Sequence, residues 1–255
     1  VGNRGNSLFL MTTPTQHTPA RGKPADYGQE LVKRRFRLTS SLVDLRNKTV
    51  LDFGCGNGAQ TIEFLGSGCR ITGVDIDQQD LDVLKEYLQS NNLDSIVAVR
   101  YDGSTLPLES SSFDVILSYE VIEHVQNESQ TLEELSRVLK PGGEMVISVP
   151  NKGWVFETHG ANLPLLPWNR VPFFSWLPHS IHSRFAKARI YKKNEIIRLL
   201  ADHRFDILTT MYITAPMDVV KAPWLKNLLR STVFTGDTTT VSMLSTSILI
   251  HCRKN

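Results

Sequence analysis

The stretch Thr49-Val-Leu-Asp-Phe-Gly-Cys-Gly-Asn-Gly58 constrains this chain more than any other. A short apolar strand runs directly into a turn in which Gly54, Gly56 and Gly58 alternate. Glycine tolerates left-handed backbone and lets a ligand come close to the main chain. Ala59 to Leu65 reads as a helix start, whose unbonded N–H groups would face whatever sits above the turn. A strand, a glycine turn and a helix in this order form a nucleotide-binding corner. The next strand, Cys69 to Asp75, ends in a carboxylate. It lies about 20 residues beyond the turn, where an acid can reach a ribose diol. The G-x-G-x-G spacing differs from the dinucleotide form, and no phosphate-binding lysine follows, so a P-loop is excluded and hydride transfer is disfavoured.

Beyond the corner the chain alternates. Gln79–Asn91 carries Leu81, Leu84 and Leu88 at helical spacing, and Ile96–Tyr101 and Phe113–Ser118 are strands. Glu128–Leu139 is a helix closed by Lys140-Pro-Gly-Gly143, and Glu144–Val149 is a fifth strand. Such β-α repetition predicts parallel strands with right-handed crossovers. Ligands then bind beyond the carboxyl ends of the strands. Gly54 to Gly58, Asp75, Asp102 with Gly103, and Tyr119 to His124 all follow predicted strands, so they converge on one edge. A helix over Lys192–His203, a strand over Phe205–Ile213, a helix over Trp224–Arg230 and a strand over Val241–Cys252 close the chain.

Asp52-Phe-Gly-Cys-Gly-Asn-Gly58 with Val74-Asp75 resembles the first two motifs of class I S-adenosylmethionine-dependent methyltransferases, of the methyltransferase type 11 kind. The resemblance implies an α/β, Rossmann-like, seven-stranded and mostly parallel sheet with helices on both faces and an antiparallel last strand. It also implies S-adenosyl-L-methionine as cofactor. Gly54, Gly56 and Gly58 would then lie close to it, Asp75 would bind the ribose hydroxyls and Ile76 would lie against the adenine. Asp102 and Gly103 would meet the adenine end, and Asp52 would order the turn or face the amino end. Asp75 as a helix cap and Asp102 as a turn residue are the structural alternatives.

Ser118-Tyr-Glu-Val-Ile-Glu-His-Val125 contains E-x-x-E-H. On a helical turn Glu120, Glu123 and His124 would share one face. Two carboxylates and an imidazole suit a divalent ion such as magnesium, which could lower the pKa of an acceptor hydroxyl. The segment is similar to one in the ubiquinone-pathway O-methyltransferases and in the small-RNA 3′-terminal 2′-O-methyltransferases. Three roles stand open: a metal site at all three residues, metal-free acid–base work by His124, or structure alone, with Glu120 also a cofactor contact.

Residues 151–194 form a long insertion before the C-terminal elements, the length of a lid or binding loop. It holds Trp154, Trp168 and Trp176, with Lys152, Arg170, Arg184, Lys187, Arg189, Lys192 and Lys193 against the single acid Glu157. Glu157-Thr-His159 offers a further ligand or base. An aromatic, basic cap suits an apolar acceptor, stacked bases beside phosphates, or contact with a membrane surface. Tyr27–Leu45 is expected to be a helix with a solvated basic face of Lys33, Arg34, Arg35 and Arg37, or else a lid. Residues 1–26 read as a flexible tail ahead of a 27–255 domain, with Met11 a plausible native start. A net charge of +2 gives no general footprint for nucleic acid. Three scattered cysteines fit a reduced, cytoplasmic setting, and no apolar run is long enough to span a bilayer. The expected activity is O-methylation of a small aromatic or lipid-like molecule. RNA 2′-O-methylation and a non-catalytic cofactor-binding role are the alternatives.

Overall fold

The computed structural model describes residues 24–93, 95–156 and 172–255. In chain order the elements are α1 (Glu30–Leu42), β1 (Thr49–Phe53), β2 (Arg70–Asp75), α2 (Gln78–Ser90), β3 (Ile96–Arg100), β4 (Phe113–Tyr119), α3 (Glu128–Val138) and β5 (Leu139–Pro150). There follow α4 (His179–Phe185), α5 (Lys193–Asp202), β6 (Phe205–Thr214), α6 (Pro223–Thr232), β7 (Thr238–Thr239) and β8 (Ser245–Lys254). One sheet joins the strands in the order β3-β2-β1-β4-β5-β8-β6-β7. Strands β1 to β5 pair in parallel, and β8 enters antiparallel between β5 and β6. The sheet has eight strands, not seven, because the two-residue β7 extends its edge beyond β6.

Alternation along the strands divides the core between two faces. Leu51, Ile116, Ile147 and Ile250 pack with Leu132 and Leu135 of α3 and Ile196 and Leu200 of α5. Their neighbours Val50, Val115, Val146 and Leu249 pack with Leu81, Leu84 and Leu88 of α2, with Phe36 and Leu38 of α1 laid against them. Helix starts follow local chemistry. The Asp77 carboxylate accepts from the amides of Gln79 and Asp80 at 2.7 and 3.1 Å, and Asn127 caps α3 through the Gln130 amide.

Two expectations need correction here. The segment after the glycine turn is a 3₁₀ helix, Thr61–Ser67, not an α-helix. It ends at Gly68 with φ of +70°, and β2 begins at Arg70. The space between turn and strand is too short for a longer helix. Strand β5 begins at Leu139, so Lys140-Pro-Gly-Gly143 lies within it, at a register irregularity opposite Phe113 and Val115.

Candidate active site at the carboxyl edge

The glycine corner is fixed by backbone geometry. Gly54 has φ of +77° and Gly58 +83°; a side chain at Gly54 would overlap Val121, and one at Gly58 would overlap Leu84. The amides of Gly54 and Cys55 both donate to Val74 O, and Gly58 N to Cys55 O. Gly56 N donates to Asp75 Oδ2 at 2.8 Å, and Asp77 N to Asp75 Oδ1 at 2.9 Å. The corner thus spends these amides inside the protein and offers a ligand shape more than donors. Below it, buried Asp52 accepts from Thr61 Oγ1 at 2.6 Å, tying β1 to the 3₁₀ helix. Burial raises the Asp52 carboxyl to about 6 despite that hydrogen bond, with the Asp75 charge adding to the rise. Ile76 stands 45% exposed beside the corner, its Cγ2 near Gly103. Asp102 Oδ1 accepts from Ser104 N, Ser104 Oγ and Thr105 N, as a turn residue does. The thiol of Cys55 is buried and pushed far up by desolvation, which makes it packing and not a nucleophile.

The second cluster lies where β4 ends. Glu120 has φ of +58°, a left-handed conformation that costs a non-glycine residue energy and recurs at functional sites. Its amide donates to Ser148 O on β5, and its Oε1 accepts from Ser148 Oγ at 3.1 Å. Arg35 of α1 places Nη2 3.1 Å from the same Oε1. Its guanidinium also lies over the Tyr119 ring, whose hydroxyl bonds Thr39 of α1. Arg35 is only 4% exposed, and its Nε and Nη2 make no hydrogen bond of good geometry among the described residues. Glu123 is fully buried; desolvation first, then the Glu120 charge, holds its carboxyl well above the usual range. His124 Nε2 lies 3.9 Å from Glu123 Oε1.

A methyltransferase-domain family model matches residues 51–147. A ubiquinone biosynthesis O-methyltransferase of Pelagibacter ubique is 30% identical over 192 residues, covering 71% of this chain and 75% of the relative. One of that name from Bartonella tribocorum is 30% identical over 177 residues, 68% of this chain and 66% of the relative. The chain belongs to the S-adenosylmethionine-dependent methyltransferases. Solved structures share the fold at low identity. An Aquifex aeolicus SAM-dependent methyltransferase gives a TM-score of 0.57 at 14% identity over 87% of this chain and 89% of that one. The [4+2]-cyclase SpnF gives 0.61 at 15%, over 94% and 88%. With a cyclase on the same scaffold, the chemistry must be read from the site.

In this methyltransferase the E-x-x-E-H residues do not sit on one helical turn. Glu120 is left-handed, and a single turn follows in which His124 N donates to Val121 O. The donor set gives magnesium no support, because Glu120 already meets the Arg35 cation. Among the described residues no group of three His, Cys, Asp or Glu side chains could hold a metal ion. Glu157 and His159 lie outside the described residues.

Glycines of positive φ at the turn, the exposed Ile76 and the carboxylates of Asp75 and Glu120 lie together just beyond the carboxyl ends of β1, β2 and β4. Sequence reasoning missed Arg35. The basic face of α1 is only half solvated: Lys33 and Arg37 are exposed, but Arg34 and Arg35 are both buried, with Arg34 Nη1 donating to Thr214 O at 2.7 Å. Arg37 donates to both oxygens of Asp237 and to Glu30. Apart from Glu30 in the same helix, those partners lie far along the chain, so only the apolar spacing of α1 is visible in the sequence. Gln60 Nε2 to Val32 O and Tyr27 Oη to Asn57 O tie this N-terminal element to the corner.

Arg189, one of the basic residues of the cap, does not serve a ligand surface alone. Its Nη1 donates to Val125 O at 2.6 Å, Nη2 to Gln126 O, and the amide to Glu123 O. Arg189 therefore holds the turn that carries His124. The insertion is pinned at its base, where Asn151 bridges Tyr191 and Lys152 N donates to Tyr191 O.

Proposed function

We propose that this methyltransferase O-methylates a small, apolar, lipid-like acceptor, with His124 as the base. Support comes from the relatives named for ubiquinone biosynthesis and from the imidazole beside a buried carboxyl where β4 ends. The observation that carries the reading is the pairing of Arg35 with Glu120 at that same strand end. When bound, S-adenosylmethionine supplies a methyl group already activated on a sulfonium. The chain must bind, orient and keep water away.

In this reading Gly54, Gly56 and Gly58 admit the cofactor's close approach, with Asp52 ordering the turn. Asp75 takes the ribose hydroxyls, Ile76 covers one adenine face, and Asp102 with Gly103 borders its edge. Arg35 offers guanidinium N–H groups to the amino-acid carboxylate, and Glu120 takes the ammonium. A guanidinium and a carboxylate side by side complement a zwitterion. His124 accepts the acceptor's hydroxyl proton at Nε2, and Glu123 sets the imidazole's position. Nothing in the proposal passes through a metal. We place the catalytic domain over 27–255, residues 1–26 as its tail, residues 151–194 as its cap and the protein in the cytoplasm. No described helix is long and apolar enough to cross a membrane.

The test is S-adenosylhomocysteine formation with catechols, hydroxyquinol-type lipids and short RNAs, each with and without EDTA. Turnover of a phenolic acceptor that survives EDTA is the expected outcome. Turnover of RNA alone, or turnover abolished by EDTA and restored by a divalent ion, would overturn the reading.

A further inference from the structure

Residues 120–127 link β4 to α3 without an α-helix, because Glu120 is left-handed and α3 starts only at Glu128. Within the link His124 N donates to Val121 O. A non-helical stretch must find other partners for its carbonyls, since a buried carbonyl left unpaired costs stability. Arg189 supplies them. Val125 O accepts from Arg189 Nη1 at 2.6 Å, and Gln126 O from Nη2 at 3.2 Å. Glu123 O accepts from the Arg189 amide at 3.2 Å and lies 3.5 Å from Nη1. The residues on either side of His124 in sequence thus both give their carbonyls to Arg189. Planar peptides leave little freedom between two fixed carbonyls, so the backbone at His124 is held in one orientation.

Arg189 is itself braced. Its Nε lies 3.5 Å from Oε2 of Glu128, in the first turn of α3. The other oxygen of Glu128 accepts from Tyr191 Oη at 2.6 Å. Tyr191 is buried in the core, and its main chain is tied to the end of β5: Tyr191 N donates to Pro150 O, and Lys152 N to Tyr191 O. Burial first, then the Glu128 charge, pushes the Tyr191 phenol far up, so it stays a donor. A rigid strand end therefore supports the tyrosine, the tyrosine the carboxylate, the carboxylate the guanidinium, and the guanidinium the turn.

The brace belongs to the cap. From α4 the chain runs through Ala186 and Ala188, both buried, into Arg189. Ala186 packs with Phe174, further back in the cap. We propose that Arg189 is a positioning residue for methyl transfer: it fixes the turn that carries His124, so that the C-terminal end of the cap sets where the imidazole points. An arginine suits the task because its planar fork meets neighbouring carbonyls with separate N–H groups, which an ammonium on a flexible stem does less well. Arg189 does not touch the acceptor in this role; it acts through the turn. The role rests on His124 as the base, proposed above.

The experiment compares the full chain with Arg189→Ala and Arg189→Lys by two readouts. Hydrogen exchange needs no acceptor. Amides of residues 121–127 should exchange roughly tenfold faster or more in Arg189→Ala, and by a smaller factor in Arg189→Lys, while β1 and α2 keep parent rates. Unchanged exchange in the turn, or in both variants a rise spread evenly over the sheet, would overturn the proposal. The second readout is turnover with catechol as acceptor. Arg189→Ala should lower kcat by roughly 100-fold, and Arg189→Lys should recover part of it, with KM for S-adenosylmethionine unchanged. In a His124→Ala background Arg189→Ala should cost no further kcat, because residues that act as a unit are not additive. A loss that persists in that background, or a parent-like kcat in Arg189→Ala, would overturn the proposal. A parent-like kcat in His124→Ala would instead fault the proposed function, with exchange still deciding whether Arg189 holds the turn.

Discussion

On the β1-β2-β3 side, the carboxyl edge is assembled from residues close in sequence and held by main-chain geometry. Gly54, Gly56 and Asp75 lie one strand apart, and the turn's amides bond within it. On the β4-β5 side, the same edge is assembled from side chains drawn across the whole chain. Arg35 reaches Glu120 from α1, and Arg189 reaches the 123–126 turn from the C-terminal end of the cap. The first half resists change through shape and the second through charge. Mutations should therefore fail differently in the two.

The largest effect is expected at His124. His124→Ala should lower kcat by about 100- to 10,000-fold. S-adenosylhomocysteine affinity, measured by calorimetry, should stay at the parent value. An unchanged kcat would reduce the β4 side to a positioning surface.

Arg35→Ala comes next. Loss of two charge-assisted hydrogen bonds to the cofactor should weaken S-adenosylhomocysteine binding by about 100-fold. Arg35→Lys should recover only part of it, because the ammonium lacks the planar fork. Parent-like affinity in both variants would mean that Arg35 serves Glu120 alone.

On the other side, Gly54→Ala should cost roughly 1–3 kcal/mol in stability, from left-handed strain and overlap with Val121. Val121→Ala should restore part of that loss. Gly66→Ala, where a side chain meets nothing, should be neutral or mildly stabilising in the same denaturation assay.

The smallest effect is a pH dependence. The folded state raises Asp52 to about 6. The stability linked to its protonated form is complete below about 4 and is lost as pH rises through about 6. Asp52→Asn keeps an oxygen for Thr61 and should flatten the fall in melting temperature across that window by a few degrees. Identical slopes in variant and parent would show that Asp52 ionises without cost.

The half built from local contacts is also the half that was legible. The glycine spacing, the strand before it and the acid that ends the next strand pointed to the corner, the parallel strands there and the family. Two misses, the 3₁₀ helix at Thr61–Ser67 on that side and the early start of β5 on the other, concern how an element begins or ends, which single-sequence patterns locate poorly. The other half was hidden for a physical reason. A buried arginine and a solvated one look alike in a helix of leucines and cations. The partners of Arg34, Thr214 and Asp237, and that of Arg35, Glu120, become neighbours only after the sheet closes. Glu120, Glu123 and His124 were recognised as a group, yet the left-handed turn that separates Glu120 from a helical face leaves no mark in composition.

The antiparallel β8 fills the gap between β5 and β6. Its residues leave the ribosome after every other strand. Until they do, β6 has no neighbour but the two-residue β7, and β5 presents a bare row of amides and carbonyls along its outer side. Bare edges of that kind pair readily with strands of other chains. The glycine corner can assemble early during synthesis, while the acceptor side waits for the final strand. A nascent chain would therefore have an ordered cofactor corner well before its sheet is protected from aggregation.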